Sequence, residues 1–391
     1  MFFYRDNDTI IYNGNARNMS DIGDEVVQCV ATSPPYWGLR KYTGNQECIW
    51  GGKEDCQHEW NEVHPPGWRK SDTNPGEFQS KGTFNRDGLT SNTCQLCGAW
   101  KGAFGLEPTP ELYVSHSIEI LREVRRVLKK DGTVFWNIGD SYSGSWGNYG
   151  SRTGGQREQK VDGFERPAYD NQKERPASSF SQGNIKPKDL CLIPFRIAIA
   201  AQDDGWYVRS VIIWNKPNPM PESVKDRPTE CHEYILLLTK SAKYFYDMDS
   251  VREPQKTISL ERMMRNHFAG YDPNYPNQNP QNLNKDEKPL TEEEVEQLKG
   301  RNLRSVWTIN TKPFPKELKH NSSHFATFPE ELVSKMIKAG SREGDIVLDP
   351  FMGSGTTLWV AKNLFRSSIG YDISEEYCKM ALERNQQQVF L

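Results

Sequence analysis

The residues best suited to chemistry sit in two segments far apart in the chain, Thr32-Ser33-Pro34-Pro35-Tyr36-Trp37 and Asp349-Pro350-Phe351-Met352-Gly353-Ser354-Gly355-Thr356-Thr357. In the first, neither proline can donate to a β-ladder, so the chain must leave strand geometry and its carbonyls are released from the sheet. Ser33 adds a hydroxyl acceptor that is also a proton relay, and Tyr36 adds an aromatic face for a base taken out of a duplex stack. This set suits an exocyclic amine on a nucleobase. Such a nitrogen is a poor nucleophile because its lone pair is delocalised into the ring. Acceptors for both amine protons draw it toward tetrahedral geometry, and a stacking face holds it in line with an electrophile. Alone, a Ser-Pro-Pro-Tyr string reads as a strand exit with a core tyrosine. Here it ends an apolar strand in a chain that also carries the second segment.

In the second segment, Val347-Leu348-Asp349 ends a strand and Gly353-Ser354-Gly355 turns into a helix. Such turns at the carboxyl ends of strands form the ligand crevice of open α/β sheets. Leu358 stands where a dinucleotide fingerprint needs its third glycine, and no Gly-Lys-Ser/Thr follows, so neither a dinucleotide nor a P-loop phosphate site fits. Asp372, closing the next strand, is placed to grip ribose hydroxyls. A nucleoside without phosphates fits best.

The elements that must position these segments follow from periodicity. Val26–Thr32 reads as a buried strand, and Pro110–Lys130 as a helix with Val114, Ile118, Leu121, Val124 and Leu128 on one face, stopping at Gly132. Strands are expected at 133–138, 207–214, 234–239, 345–348 and 368–371, and helices at 190–201, from Pro329, from Thr356 and after Ser374. This alternation implies an α/β fold with a mostly parallel sheet covered on both faces. Residues 43–106 read as an insertion, 143–187 as a mobile loop with scattered Arg and Lys, and 252–304 as a polar region. Apolar residues make up 36% of the chain and net charge is −3, so charge alone does not announce nucleic acid. The N-terminus lacks a signal-peptide pattern and no run is long enough for a membrane helix. Of eight cysteines, Cys94 and Cys97 form a C-x2-C pair and the others are scattered, which suggests reduced thiols, a metal and a cytoplasmic protein rather than a disulfide framework.

The order of the two segments, with Gly132–Tyr142, Ile213–Pro221 and His324–Pro329, resembles the beta class of the DNA amino-methyltransferases of restriction-modification systems. The resemblance implies a Rossmann-like fold with a seven-stranded sheet, circularly permuted motif order and insertions. It implies one catalytic domain over 1–391, with a catalytic half at 1–250 and a cofactor half at 320–391. The methyl donor is then S-adenosylmethionine and the other partner double-stranded DNA. The source is prokaryotic or phage, and both a separate cognate endonuclease and the choice of monomer or homodimer stay open. Carried over, Ser33, Pro34, Pro35 and Tyr36 are catalytic. Asn15, Thr32, Phe328, Asp349, Pro350, Phe351, Gly353, Ser354, Gly355, Thr356 and Asp372 form the cofactor pocket. Asn15 departs from the Gly-Asp usual after the N-terminal glycine. Thr-Ser-Pro-Pro-Tyr favours N4 of cytosine, with N6 of adenine the alternative.

Cys56, His58, Cys94 and Cys97 have the types for a tetrahedral zinc, with Cys48 and His64 as competing ligands and free thiols as the alternative. Such a zinc is structural, because methyl transfer from a sulfonium needs no activated water. Transfer to cytosine C5 is disfavoured without a Pro-Cys nucleophile, and deamination without a His-x-Glu. Residues 252–304 are expected to read the target sequence, and 143–187 to close on DNA. Two other readings stand: the same chemistry on RNA or a glutamine side chain, and a zinc-dependent nucleic-acid-binding module without activity.

Overall fold

A computed structural model describes residues 2–38, 46–60, 92–143, 185–186, 188–255, 300–312 and 329–386. Phe328, His64, most of the 143–187 loop and most of the 252–304 region lie outside the described residues.

Among the described residues eleven strands and five α-helices form. The strands are β1 (Phe2–Arg5), β2 (Thr9–Asn13), β3 (Val27–Thr32), β4 (Cys48–Trp50), β5 (Trp100–Gly102), β6 (Leu128–Ile138), β7 (Tyr207–Asn215), β8 (His232–Thr239), β9 (Val306–Thr308), β10 (Ile346–Asp349) and β11 (Ser367–Asp372). The helices are α1 (Pro110–Val127), α2 (Ile193–Asp203), α3 (Glu330–Gly340), α4 (Thr356–Asn363) and α5 (Glu375–Gln386). The main sheet runs β1-β2-β11-β10-β3-β6-β8-β7-β9, nine strands rather than the seven expected. The extra two are the short edge strands β1 and β9; the seven between them make the anticipated frame. Pairings are parallel from β2 through β6 and antiparallel at β6–β8 and β7–β8, so the sheet is mixed but mostly parallel.

β3 lies at the centre because every residue in it is buried. Val30 packs into the core under α1 and α2, while Cys29 and Ala31 face the second core under α3. That alternation is the two-residue period of a strand covered on both faces. β3 pairs with β10 at Val347↔Cys29 and Leu348↔Val30, so the ends of the two chemical segments emerge side by side.

One boundary differs from the periodicity reading. Lys129 and Lys130 belong to β6, not to the end of α1, which stops at Val127 without a glycine. Thr109 caps its start through Leu112 N, at 3.2 Å. Its last carbonyls are satisfied from outside, by the N–H groups of Glu25 and Val26 on Arg126 O and Val127 O. With those partners supplied, the chain passes directly into a strand whose Leu128 is fully buried.

Candidate active site

The strand ends meet over a cavity of about 870 Å³. Of the residues singled out from the sequence, Asn15, Ser33, Pro35, Tyr36, Pro350, Phe351, Gly353, Ser354 and Asp372 line it. Thr32, Pro34, Asp349, Gly355 and Thr356 do not, and Phe328 lies outside the described residues.

Side chains dominate the end built by the double-proline corner. Tyr36 Oη donates to Glu233 Oε2 at 2.6 Å, and Ser33 Oγ donates to Tyr36 Oη at 3.1 Å. Asn137 Nδ2, with two protons to give, lies within hydrogen-bond reach of Tyr36 Oη (2.6 Å), Glu233 Oε2 (3.0 Å) and Ser33 Oγ (3.3 Å). Lys216 holds the other oxygen of Glu233 in an ion pair. Gly139 makes room for the Tyr36 ring: a Cβ there would stand 2.9 Å from the ring edge. The Pro35 carbonyl is not left open as the proline argument expects, because Tyr113 Oη donates to it at 2.8 Å.

Beneath the corner, Trp37 Nε1 donates to Glu107 O, and the Glu107 carboxyl meets Gly105 N and His116 Nδ1 at 2.8 and 2.9 Å. Burial pushes Glu107 up to about 8 and His116 down to about 4, so near neutral pH both are uncharged. This pair locks the 104–107 segment against the corner without placing a charge in the interior.

The turn end works differently. Asp349 faces inward and is 1% exposed. Its carboxylate accepts from Thr32 Oγ1 at 2.6 Å, Thr357 Oγ1 at 2.7 Å and Phe351 N at 3.0 Å. Burial pushes it up to about 6, and those three bonds oppose the rise. Asp349 and Thr32 therefore hold the turn from behind and do not themselves line the cavity. Thr356 is likewise turned away, accepting from Arg384 at 2.9 Å. Gly355, at φ +76°, sits where a Cβ would stand 2.9 Å from Ala381 Cβ, so it allows α4 to start tightly against α5.

Three features face the cavity from the turn. Asp372 accepts from Gly353 N at 3.1 Å and Ser374 N at 2.8 Å, and burial pushes its carboxyl up to about 7. Ser354 Oγ is buried with no hydrogen-bond partner among the described residues. Phe351 stacks on Phe104 at 5.7 Å and meets Trp136 edge-on at 6.0 Å. A carboxylate acceptor, an orphaned hydroxyl and an aromatic wall suit the ribose and adenine of a nucleoside. Asn15 borders this end, but its amide is committed, with Oδ1 accepting from Arg17 N and Nδ2 donating to Cys48 Sγ at 3.1 Å.

In the insertion, the ligand atoms of Cys56, His58, Cys94 and Cys97 all lie within 4.8 Å of one another. Cys56 Sγ and Cys94 Sγ are 3.9 Å apart, and Cys97 Sγ and His58 Nδ1 3.3 Å. Two thiolates about 2.3 Å from a tetrahedral ion would stand about 3.8 Å apart. Cys48 is excluded from this set, since it turns to Asn15 and the cavity.

Sequence reasoning missed Glu233, Lys216 and Asn137 as site residues. Asn137 was visible as a lone amide within the apolar Val134–Ile138 strand. Glu233 and Lys216 carried no comparable signal, since charges at strand ends are common.

Comparison with known proteins agrees with this geometry. The DNA methylase model for N6 and N4 methyltransferases matches residues 27–383. The Type II methyltransferase M.SmaI of Serratia marcescens is 35% identical over 95% of this chain and 88% of its own length. M.Cfr9I of Citrobacter freundii is 34% identical over 92% of this chain and 81% of its own. Among solved structures, the PvuII DNA methyltransferase (cytosine-N4-specific) superposes with a TM-score of 0.51 at 15% identity, covering 98% of this chain and 88% of that one, a likeness of fold. With its paired strand ends opening on one cavity, the chain belongs to the DNA methylase family of N6 and N4 amino-methyltransferases.

Proposed function

We propose that this chain methylates N4 of cytosine at specific sites in double-stranded DNA, with S-adenosylmethionine as donor, as the modification partner of a restriction endonuclease. One observation carries the reading: Ser33 and Tyr36 share a cavity with Phe351, Gly353, Ser354 and Asp372. Bound at the turn, S-adenosylmethionine supplies an electrophilic methyl group. The Asp372 carboxylate and Ser354 hydroxyl would hold its ribose, and Phe351 its adenine. At the corner, Tyr36 offers its ring to the extruded base. The Ser33 hydroxyl, with its proton directed at Tyr36, turns a lone pair toward the amine. Choice of cytosine rests on Ser33, a neutral acceptor in the Thr-Ser-Pro-Pro-Tyr string.

Mass spectrometry of nucleosides from DNA treated with the chain and S-adenosylmethionine tests this. N4-methylcytosine is expected. N6-methyladenine would overturn the choice of base, and no methylated nucleoside at all would overturn the activity.

The Cys56, His58, Cys94, Cys97 cluster fits a structural zinc, which would hold the paired strands β4 and β5 beside the cavity that Cys48 and Trp50 line. Elemental analysis should find about one zinc per chain, lost in Cys94→Ser. Metal-free wild-type protein with unchanged thermal stability would remove this assignment.

A further inference from the structure

Methylation of an amine leaves a proton to be disposed of. The nitrogen supplies the pair for the new nitrogen–carbon bond, the carbon–sulfur bond breaks with its pair on sulfur, and the cationic nitrogen must release one proton. We propose that Glu233 is the positioning residue that fixes the direction of the Ser33–Tyr36 hydroxyl chain and receives that proton at its end. The proposal rests on the methyl-transfer reading above.

The hydrogen-bond directions carry the argument. A phenol has one proton, and Tyr36 gives it to Glu233 Oε2 at 2.6 Å. Tyr36 Oη is thereby an acceptor toward Ser33, whose own proton points at it from 3.1 Å. Ser33 then faces the cavity as an acceptor, the role an amine requires. Every hydroxyl proton in the chain points away from the base and toward the carboxylate. One proton shift at each link moves the charge without moving a heavy atom: from nitrogen to Ser33 Oγ, from Ser33 to Tyr36 Oη, and from Tyr36 to Glu233 Oε2.

The rest of the surroundings hold this terminus in place. Lys216 pairs with Oε1 and lies over the Trp214 ring at 4.6 Å from its centroid, leaving Oε2 for Tyr36. Asn137 Nδ2 reaches Glu233 Oε2, Tyr36 Oη and Ser33 Oγ together and keeps the three aligned. β6 pairs antiparallel with β8 so that Asn137 opposes Ile235, which sets Asn137 and Glu233 diagonally across the ladder. A neutral amide at 233 could present N–H to Tyr36 Oη and reverse the chain, making Ser33 a donor toward the base.

Glu233→Gln tests this with two readouts. In the ligand-free protein labelled with 13Cζ-tyrosine, the Tyr36 resonance, identified by its loss in Tyr36→Phe, should move when Glu233 loses its charge. In single-turnover methylation the rate constant should fall roughly 100-fold, within the range of proton-transfer contributions. The dissociation constant for S-adenosylmethionine should stay within about threefold, and Glu233→Asp should recover part of the rate. Tyr36→Phe keeps the ring but cuts the chain, and should show a fall of similar size. Methylation by Glu233→Gln or by Tyr36→Phe at the wild-type rate would overturn the proposal while leaving the proposed function standing. A wild-type chain that methylates no DNA would sink the functional reading itself.

Discussion

The two ends of the cavity are built on opposite principles. At the double-proline corner, side chains reach inward: Ser33, Tyr36, Asn137, Glu233 and Lys216 form one connected polar network. At the glycine turn, the strongest side-chain bonds run backward into the protein, from Asp349 to Thr32 and Thr357. There the cavity meets main chain, one carboxylate, one hydroxyl and the Phe351 ring. On the proposed function the corner acts on a bound group, whereas the bonds of the turn keep a backbone shape. Substitutions at the two ends should therefore fail in different ways.

The sharpest separation is at the corner. Ser33→Ala combined with Tyr36→Ala should lower the single-turnover rate constant by about 10³-fold or more, while calorimetry finds cofactor binding nearly unchanged. Full activity in the double variant would erase the distinction between the ends.

At the turn the larger effect should be on the fold. Asp349→Ala leaves the Thr32 hydroxyl and Phe351 N–H without their acceptor and Thr357 with Ala31 O alone, and urea denaturation should show a loss of about 3 kcal/mol. A variant of wild-type stability that has lost only cofactor affinity would restore Asp349 as a pocket residue.

The smallest effect concerns Asp372. Its folded pKa is raised to about 7, so the protonated form persists to unusually high pH. For stability, a raised carboxyl favours the fold at low pH, and that contribution is lost as pH rises through about 7. Cofactor affinity should run the other way, because the ionised carboxylate is the acceptor for ribose hydroxyls. The dissociation constant should rise as pH falls below about 7, by no more than tenfold per unit, and Asp372→Asn should flatten the profile. A flat wild-type profile would place the ribose elsewhere.

Much of this contrast could be read from residue order. The Ser33–Tyr36 string and the Gly353–Gly355 turn declare themselves by proline and glycine, whose backbone constraints are local. β3 and β10 declare themselves by continuous apolar runs, which require cover on both faces. The direction in which Asp349 points was not legible, because an acidic residue beside a glycine turn serves equally as ligand or pin. Glu233 was hidden for a similar reason: its partners are Tyr36 in the corner beyond β3, Asn137 on β6 and Lys216 just past β7, and the β6–β8 register helps bring it to them. The end of α1 was misjudged because Lys129, Lys130 and Gly132 mimic a helix stop, while the true stop depends on Glu25 and Val26, distant in sequence.

The order of strands in the sheet also constrains how the molecule is made. β10 and β11 slot between β2 and β3, which are synthesised first. A nascent chain leaving the ribosome therefore carries two unpaired strand edges until β10 and β11 arrive. On the function proposed above, the turn that would hold the methyl donor takes shape only once β10 and β11 are inserted. Products that stop before β10 would then lack one end of the cavity, and the edges of β2 and β3 need shelter until the two later strands arrive.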